Sequence, residues 1–298
     1  MQTVLVLDIG GSFIKFGLMT NEKLGTVDKK KTPQTLEAFK ICLKAIIEEF
    51  SETISGVSIS MPGIINADTG YVIHGGSLKF INHMNILEFY QSIFSCPVAV
   101  ENDARSAILG ELHQGQLRQI SNAAMIVLGT GVGGSLIING EIVRGAHQAA
   151  GELSFVQTNE SMLATNLFGV KNGVYSLLKP FAAAYGKKTN DVSGELFFNA
   201  VVSGNLAAQA ILQEYCDSLA IQIWNLQTIL DLEKIVLGGG ISSQLILLDY
   251  VKQSIERNQN QLNLGPFSET ISPNVVLSTL GNNANLVGAY FNFIQRHA

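Results

Sequence analysis

Leu5-Val6-Leu7-Asp8-Ile9-Gly10-Gly11-Ser12-Phe13-Ile14 opens the chain, and Met125-Ile126-Val127-Leu128-Gly129-Thr130-Gly131-Val132-Gly133-Gly134-Ser135-Leu136-Ile137-Ile138 repeats its pattern further on. Each stretch reads as an apolar strand, a glycine turn ending Gly-Gly-Ser, and an apolar strand that returns. Short apolar runs bounded by glycine fit buried strands. Two occurrences are too few for a stacked repeat array; they imply a duplicated α/β lobe. Glycine accepts positive φ and lets several backbone N–H groups converge on one anion. Either turn alone reads as a tight hairpin. The two together, in like context, favour a phosphate clamp.

The flanking sequence supports the same architecture. Phe13–Met19 and Gly25–Lys31 continue in β character, and Thr35 caps an amphipathic helix that runs to Phe50. Gly56–Ser60 is a strand meeting Pro62-Gly63. Val98–Glu101 is another, leading into Asn102-Asp103 and a helix from Ala104 to about Leu109. Later come helices near Glu195–Val201 and Asn205–Leu230, a strand at Lys234–Leu237, and Gly238-Gly239-Gly240. A helix at Ser242–Arg257, a strand at Val275–Ser278 and a last helix from about Asn283 to Gln295 complete the chain. No Pro-rich, Ser-rich or charged linker divides the halves, which argues for packed lobes joined by a hinge.

Gly129 to Gly134 formally satisfies GxGxxG, with Glu152 near the spacing of a ribose-binding acid. The dinucleotide fingerprint needs a helix directly after its glycines, whereas Ser135–Gly140 reads as a strand running into a turn. A Walker A motif is absent. Hairpin amides therefore hold the phosphates in this reading. Asp8, at a strand end beside the first turn, suits a magnesium ion held directly or through water, or an Asx cap of the turn. Asp103, between strand and helix, reads as an N-cap or as a general base for a sugar hydroxyl, with Asn102 bonding a neighbouring hydroxyl. Glu152, in the small-residue loop Ala149-Ala150-Gly151-Glu152, reads as a sugar-binding carboxylate or a helix N-terminal charge.

Composition sets the bounds. With 298 residues, 47% apolar and only 14% charged, the chain is long enough for two lobes with wide buried faces. A net charge of −5 disfavours nucleic acid or an anionic membrane as the main partner. Lys29-Lys30-Lys31 reads as the solvated end of an edge strand. Cys42, Cys96 and Cys216 lack metal-site spacing and read as buried thiols of a reducing compartment. No targeting segment precedes the first strand, and no apolar stretch nears the roughly 20 residues of a membrane span. A cytoplasmic location is the expectation.

Taken in order, these segments resemble the ROK family (repressors, open reading frames and sugar kinases) over essentially the whole chain. The resemblance rests on Asp8 through Ser12 with Lys15, Ser60-Met61-Pro62-Gly63, Glu101-Asn102-Asp103-Ala104, Gly129 through Gly134, Gly145 through Glu152, and Leu237 through Ile241. It implies an α/β, two-lobed actin-like ATPase fold, a duplicated ribonuclease H-like unit with an interlobe cleft. Residues 1–115 plus about 284–298 would form the small lobe and 116–283 the large one. It also implies an ATP- and Mg2+-dependent sugar kinase, acting as a homodimer. Asp103 would be the catalytic base, and Asn102, Glu152 and Gly63 would sit at the sugar. Gly10, Gly11, Ser12 and Lys15 belong to the first phosphate motif, and Gly129, Thr130, Gly131 and Gly133 to the second. Gly239, Gly240 and Ile241 would lie against the adenosine, with Asn285 on the same side of the nucleotide.

The departures are specific. Family members follow Ala-Gly-Glu with a Gly-His pair whose histidine binds sugar and zinc, whereas this chain has Ser154 and Phe155. The family's cysteine-rich zinc motif is replaced by Asn159–Val170, with no Cys or His between Phe155 and Pro180, so no zinc site is expected there. An aromatic in place of the histidine is similar to the β-glucoside kinase branch. Phe155 would offer an apolar face to a larger or second sugar ring, or pack in the core. The expected substrate is glucose or a β-glucoside such as cellobiose, phosphorylated at O6. The alternative is a non-catalytic sugar sensor of the same family. A DNA-binding repressor is disfavoured, since only seven residues precede Asp8.

Overall fold

The computed structural model describes residues 2–50 and 54–297, which form two compact units. The first comprises residues 1–118, 144–150 and 282–298; the second comprises 119–143 and 151–281.

In the first unit β1 (Thr3–Ile9), β2 (Phe13–Thr20) and β3 (Lys23–Lys31) form an antiparallel meander. The helix α1 (Leu36–Ile47) follows, capped by the Thr35 hydroxyl, which accepts the Ala38 N–H at 3.3 Å. It crosses to β4 (Gly56–Met61), parallel to β1. A three-stranded sheet of β5 (Ile64–Ile65), β6 (Tyr71–His74) and β7 (Met84–Asn85) comes next, then α2 (Ile86–Gln91). None of these four short elements carries a clear period in the sequence. β8 (Val98–Asn102) joins parallel to β4 and runs into α3 (Asp103–Gln114). The sheet order is β3-β2-β1-β4-β8. Strands β1 and β4 are almost wholly buried, as strands covered on both faces must be; Val4–Leu7 is a continuous apolar run, whereas β4 buries Ser58 and Ser60 among its apolar residues.

The second unit repeats the plan. β9 (Ala123–Leu128), β10 (Val132–Ile138) and β11 (Glu141–Ile142) form the meander. A helical block follows: α4 (Phe168–Lys171), α5 (Tyr175–Ala184), α6 (Gly194–Val202) and the 25-residue α7 (Leu206–Leu230). β12 (Lys234–Gly238) pairs parallel to β9, and α8 (Leu245–Leu262), α9 (Pro266–Thr270) and β13 (Val275–Leu277) complete it. The order β11-β10-β9-β12-β13 matches the first sheet strand for strand. The duplication expected from the two glycine turns is thus present in the topology. The last helix, α10 (Ala284–Arg296), returns to the first unit and packs on α3. The two approach so closely that a Cβ on Gly288 would lie 1.6 Å from the Ser106 carbonyl oxygen.

Two readings need correction, and one helix was not read at all. The second Gly-Gly-Ser is not part of a turn: β10 begins at Val132, so Gly133 pairs with Val127 inside the ladder and the hairpin tip is Gly129-Thr130-Gly131. Gly134 is small for packing, because a Cβ there would meet Leu153 at 2.3 Å. The helix placed at Ser242 starts at Leu245 after a 3-10 turn over Ile241–Ser243. Finally, α5 carries Pro180 in its interior, which hid it from the sequence; buried Leu177, Leu178, Phe181 and Ala182 hold it in place. No single helix among the described residues is long and apolar enough to cross a membrane.

Candidate active site

In the first unit the strand registers bring the polar residues together. The parallel pairing β1–β4–β8 sets Asp8 beside Ser60 and Ser60 beside Glu101, at the C-terminal ends of the strands, where open α/β sheets carry their ligands. The Asp8 carboxylate is 13% exposed and faces the Lys15 ammonium at 3.4 Å. Its Oδ1 accepts from the Asn285 amide at 3.1 Å and from the Ser60 hydroxyl at 3.4 Å. Burial raises the Asp8 pKa above the ordinary carboxylate value, and Lys15, Asn285 and Ser60 only partly draw it back. A carboxylate whose charge is opposed by burial gains from a cation placed beside it.

Asn285 was expected on the nucleotide side. Its single NH2 group spans the cluster: besides Asp8 it reaches the Ser60 hydroxyl at 3.3 Å and the Asp103 carbonyl at 3.4 Å. Sequence reasoning also passed over Ser60. The cue was its place in Ser60-Met61-Pro62-Gly63, one strand over from Asp8.

The corner between β8 and α3 settles one alternative. Asn102, not Asp103, is the N-cap, its side-chain oxygen accepting the Arg105 N–H at 3.1 Å. Asp103 is therefore the first helical residue, and its carboxylate accepts the Ala104 N–H at 2.8 Å. Asn102 also donates to the Gly63 carbonyl at 3.0 Å, so both ends of its amide are held by protein. Gly63 has φ +111°, and a Cβ there would meet the His74 carbonyl at 2.1 Å, so only glycine fits this turn. In the glycine hairpin the Gly10 N–H donates to the Phe13 carbonyl at 2.9 Å, closing the turn and leaving Gly11 and Ser12 at its tip.

In the second unit the tip Gly129–Gly131 is braced from below. Gly129 donates to the Gly131 carbonyl at 3.0 Å, and Val174 donates to the Gly129 carbonyl at 2.8 Å. A Cβ on Gly129 would meet nothing within 4 Å, so the turn keeps open space before it. Gly239 (φ +86°) presses on Leu128, whose carbonyl a Cβ would approach to 2.4 Å; Gly240 faces open space and Ile241 is buried. Glu152 does not start an α-helix; a single 3-10 turn, Leu153–Phe155, follows it. Ser154 donates to the Val132 carbonyl at 2.5 Å. Phe155 is 65% exposed, which excludes core packing within its unit.

The segment 158–168 is held together by its own polar contacts. Asn166 donates to the Ser161 carbonyl and hydroxyl at 3.2 and 2.7 Å, Thr158 donates to the Asn166 carbonyl at 2.9 Å, and buried Phe168 anchors the end. Among the described residues no group of three or more His, Cys, Asp or Glu side chains is placed to hold a metal.

The model of the ROK family matches residues 4–296. The chain belongs to the ROK family. It is 26% identical to a β-glucoside kinase of Listeria monocytogenes, over 98% of this chain and 97% of that protein. A β-glucoside kinase of Klebsiella pneumoniae is 25% identical, over 98% and 96%. Among solved structures, a ROK family protein from Streptococcus pneumoniae TIGR4, crystallised with sucrose, superposes with a TM-score of 0.87 at 29% identity, over 99% of both chains. The fold of this ROK protein is accordingly the actin-like ATPase fold, built from two α/β units.

Proposed function

We propose that this ROK protein is a kinase that transfers the γ-phosphoryl group of ATP to a sugar hydroxyl, O6 of a β-glucoside such as cellobiose or of glucose. The observation that carries the reading is the Asn285 amide, which ties the side chain of Asp8 to the backbone of Asp103. A cation-binding carboxylate and a carboxylate at a helix start thus share one small cluster. The names of the two β-glucoside kinases support the substrate class.

Asp8 would hold magnesium through its carboxylate, since this ion uses one or two carboxylates while waters and phosphates complete its shell. When bound, Mg2+ neutralises charge that develops on the transferring phosphate. The remaining work falls to residues of the chain. Asp103 accepts the proton of the attacking hydroxyl while the bond from sugar oxygen to phosphorus forms and the bond to the β-phosphate breaks, releasing ADP. Its carboxylate stands in the first turn of α3. Gly11, Ser12 and Lys15 of the first unit, and Gly129, Thr130 and Gly131 of the second, are assigned as donors to phosphate oxygens. Gly133, inside β10, acts by letting that hairpin close. Asn102 presents its remaining amide hydrogen, and Glu152 its carboxylate, to sugar hydroxyls, and Phe155 gives an apolar face to the second ring. Gly239, Gly240 and Ile241 serve the adenosine. We take the protein to work in the cytoplasm as a homodimer, without nucleic acid.

The test is coupled ADP release with Mg·ATP against glucose, N-acetylmannosamine, fructose, cellobiose and gentiobiose. Turnover confined to the β-linked disaccharides is the expected result. Turnover on a monosaccharide alone removes the β-glucoside assignment, and silence on all five removes the kinase.

A further inference from the structure

Directly before Asn102-Asp103 lies a buried charge cluster that the proposed chemistry does not use. Glu101 is 0% exposed. Its Oε1 accepts the backbone N–H of Asn102 at 2.9 Å and lies 3.8 Å from Arg105 Nη1; its Oε2 accepts from Arg144 Nη2 at 2.5 Å. Arg105 is itself 2% exposed and donates through Nη2 to the Gln148 carbonyl at 2.6 Å. Glu101 and Arg105 are costly to bury, Arg144 reaches in from a partly exposed position, and such a group does not add stability over an apolar packing of the same volume. What it does supply is fixed geometry.

The corner needs that geometry. β8 is the last strand of its sheet, so its outer edge has no neighbouring strand to pair with. The chain must leave the strand at Asn102 (φ −60°, ψ 147°) and enter α3 one residue later. Glu101 takes up the Asn102 amide at this point, and Arg144 pins the Glu101 side chain. Arg144 in turn begins the compact loop 144–150, closed by the Ala150 N–H on the Arg144 carbonyl at 3.1 Å. The second link, Arg105 to Gln148, ties the first turn of α3 to the same loop.

We infer that the Glu101–Arg144 pair is a positioning device that fixes the β8–α3 corner and, through it, the carboxylate of Asp103. The inference rests on the kinase reading. A general base must stand within hydrogen-bond reach of its proton, and a displacement of about 1 Å costs on the order of 100-fold in rate.

Two variants test it. Glu101→Gln keeps an oxygen for the Asn102 N–H and loses the pairing with the arginines. Arg144→Met removes the pin while Glu101 still faces Arg105, so the buried carboxylate keeps one guanidinium partner. In ADP-release assays on the folded proteins, both are expected to lose about 10- to 100-fold in kcat, the range for lost supports of functional groups. KM for sugar and for ATP should stay within about threefold, and Arg144→Lys should recover part of the loss. Amide hydrogen exchange should quicken in peptides covering residues 101–106 and not elsewhere. Arg144→Met with wild-type kcat, or a kcat loss in step with Tm that cooler assays restore, overturns the inference. A wild-type chain silent on every sugar defeats the kinase reading instead, and unchanged exchange at 101–106 in the variants then also removes the role in holding the corner.

Discussion

Asp103→Asn separates chemistry from folding, and the structure gives the size of each effect. The carboxylate accepts the Ala104 N–H at 2.8 Å, a bond that an asparagine oxygen reproduces. The N-cap belongs to Asn102 and is untouched. What folding loses is one negative charge in the first turn of α3, worth about 0.3–1 kcal/mol, or roughly 1–4 °C in Tm for units of this size. What catalysis loses is the group that takes the proton. General-base removal costs about 10²–10⁴ in kcat, equivalent to about 2.7–5.5 kcal/mol of barrier at 1.36 kcal/mol per decade. The chemical effect thus exceeds the structural one severalfold. ADP release under saturating Mg·ATP and sugar measures the first, thermal unfolding the second, and calorimetry whether sugar still binds. Turnover within tenfold of wild type would refute the assignment of Asp103, and so would a rate loss matched by lost sugar affinity.

Three further outcomes are expected. Because burial raises the Asp8 pKa in the folded state, its contribution to stability is present below pH 3.8 and is lost as pH rises through the folded-state value. Asp8→Asn should therefore unfold at higher urea than wild type near neutral pH in the absence of magnesium and nucleotide, with the gap closing toward acid, while kinase turnover disappears; a gap independent of pH would contradict this. Gly288→Ala places a Cβ 1.6 Å from the backbone oxygen of Ser106, so α10 and α3 must separate. A cost of about 1–3 kcal/mol should outweigh the roughly 1 kcal/mol that alanine gains in helix propensity, and urea unfolding showing a stabilised variant would refute the close packing. Phe155→Ala removes a ring that is 65% exposed, so stability should move by less than about 0.5 kcal/mol. KM for a β-linked disaccharide should rise about tenfold, about 1.4 kcal/mol, with glucose unaffected; equal change for both sugars would remove the ring from specificity.

Much of this molecule was legible because its signals are local. A strand, a glycine turn and a returning strand appear as apolar runs broken by residues that accept unusual φ. Their recurrence gave the duplicated α/β plan, now seen as two sheets of matching order. The helices α6, α7 and α10 were legible in the sequence, and Ser193 and Asn205 cap the first two. Where the local signal was weak or misleading the reading slipped. Pro180 masked α5, and the glycines at 133 and 134 looked like a turn although they are strand residues, Gly134 kept small by Leu153.

The site divides the same way. Asp8, Asp103 and the glycine hairpins stand at strand ends, and a sequence marks strand ends. The partners that fix them come from afar. Asn285 meets Asp8 across 277 positions, and Arg144 meets Glu101 across 43. Nothing in the residues around 285 or 144 points to those contacts, because the registers of β1, β4 and β8 and the return of α10 create them. Local preference set the elements and marked the candidate groups; only the assembled sheet and the helix packed on it decided which of those groups touch, which are buried, and so which carboxylate bears the cost of its charge.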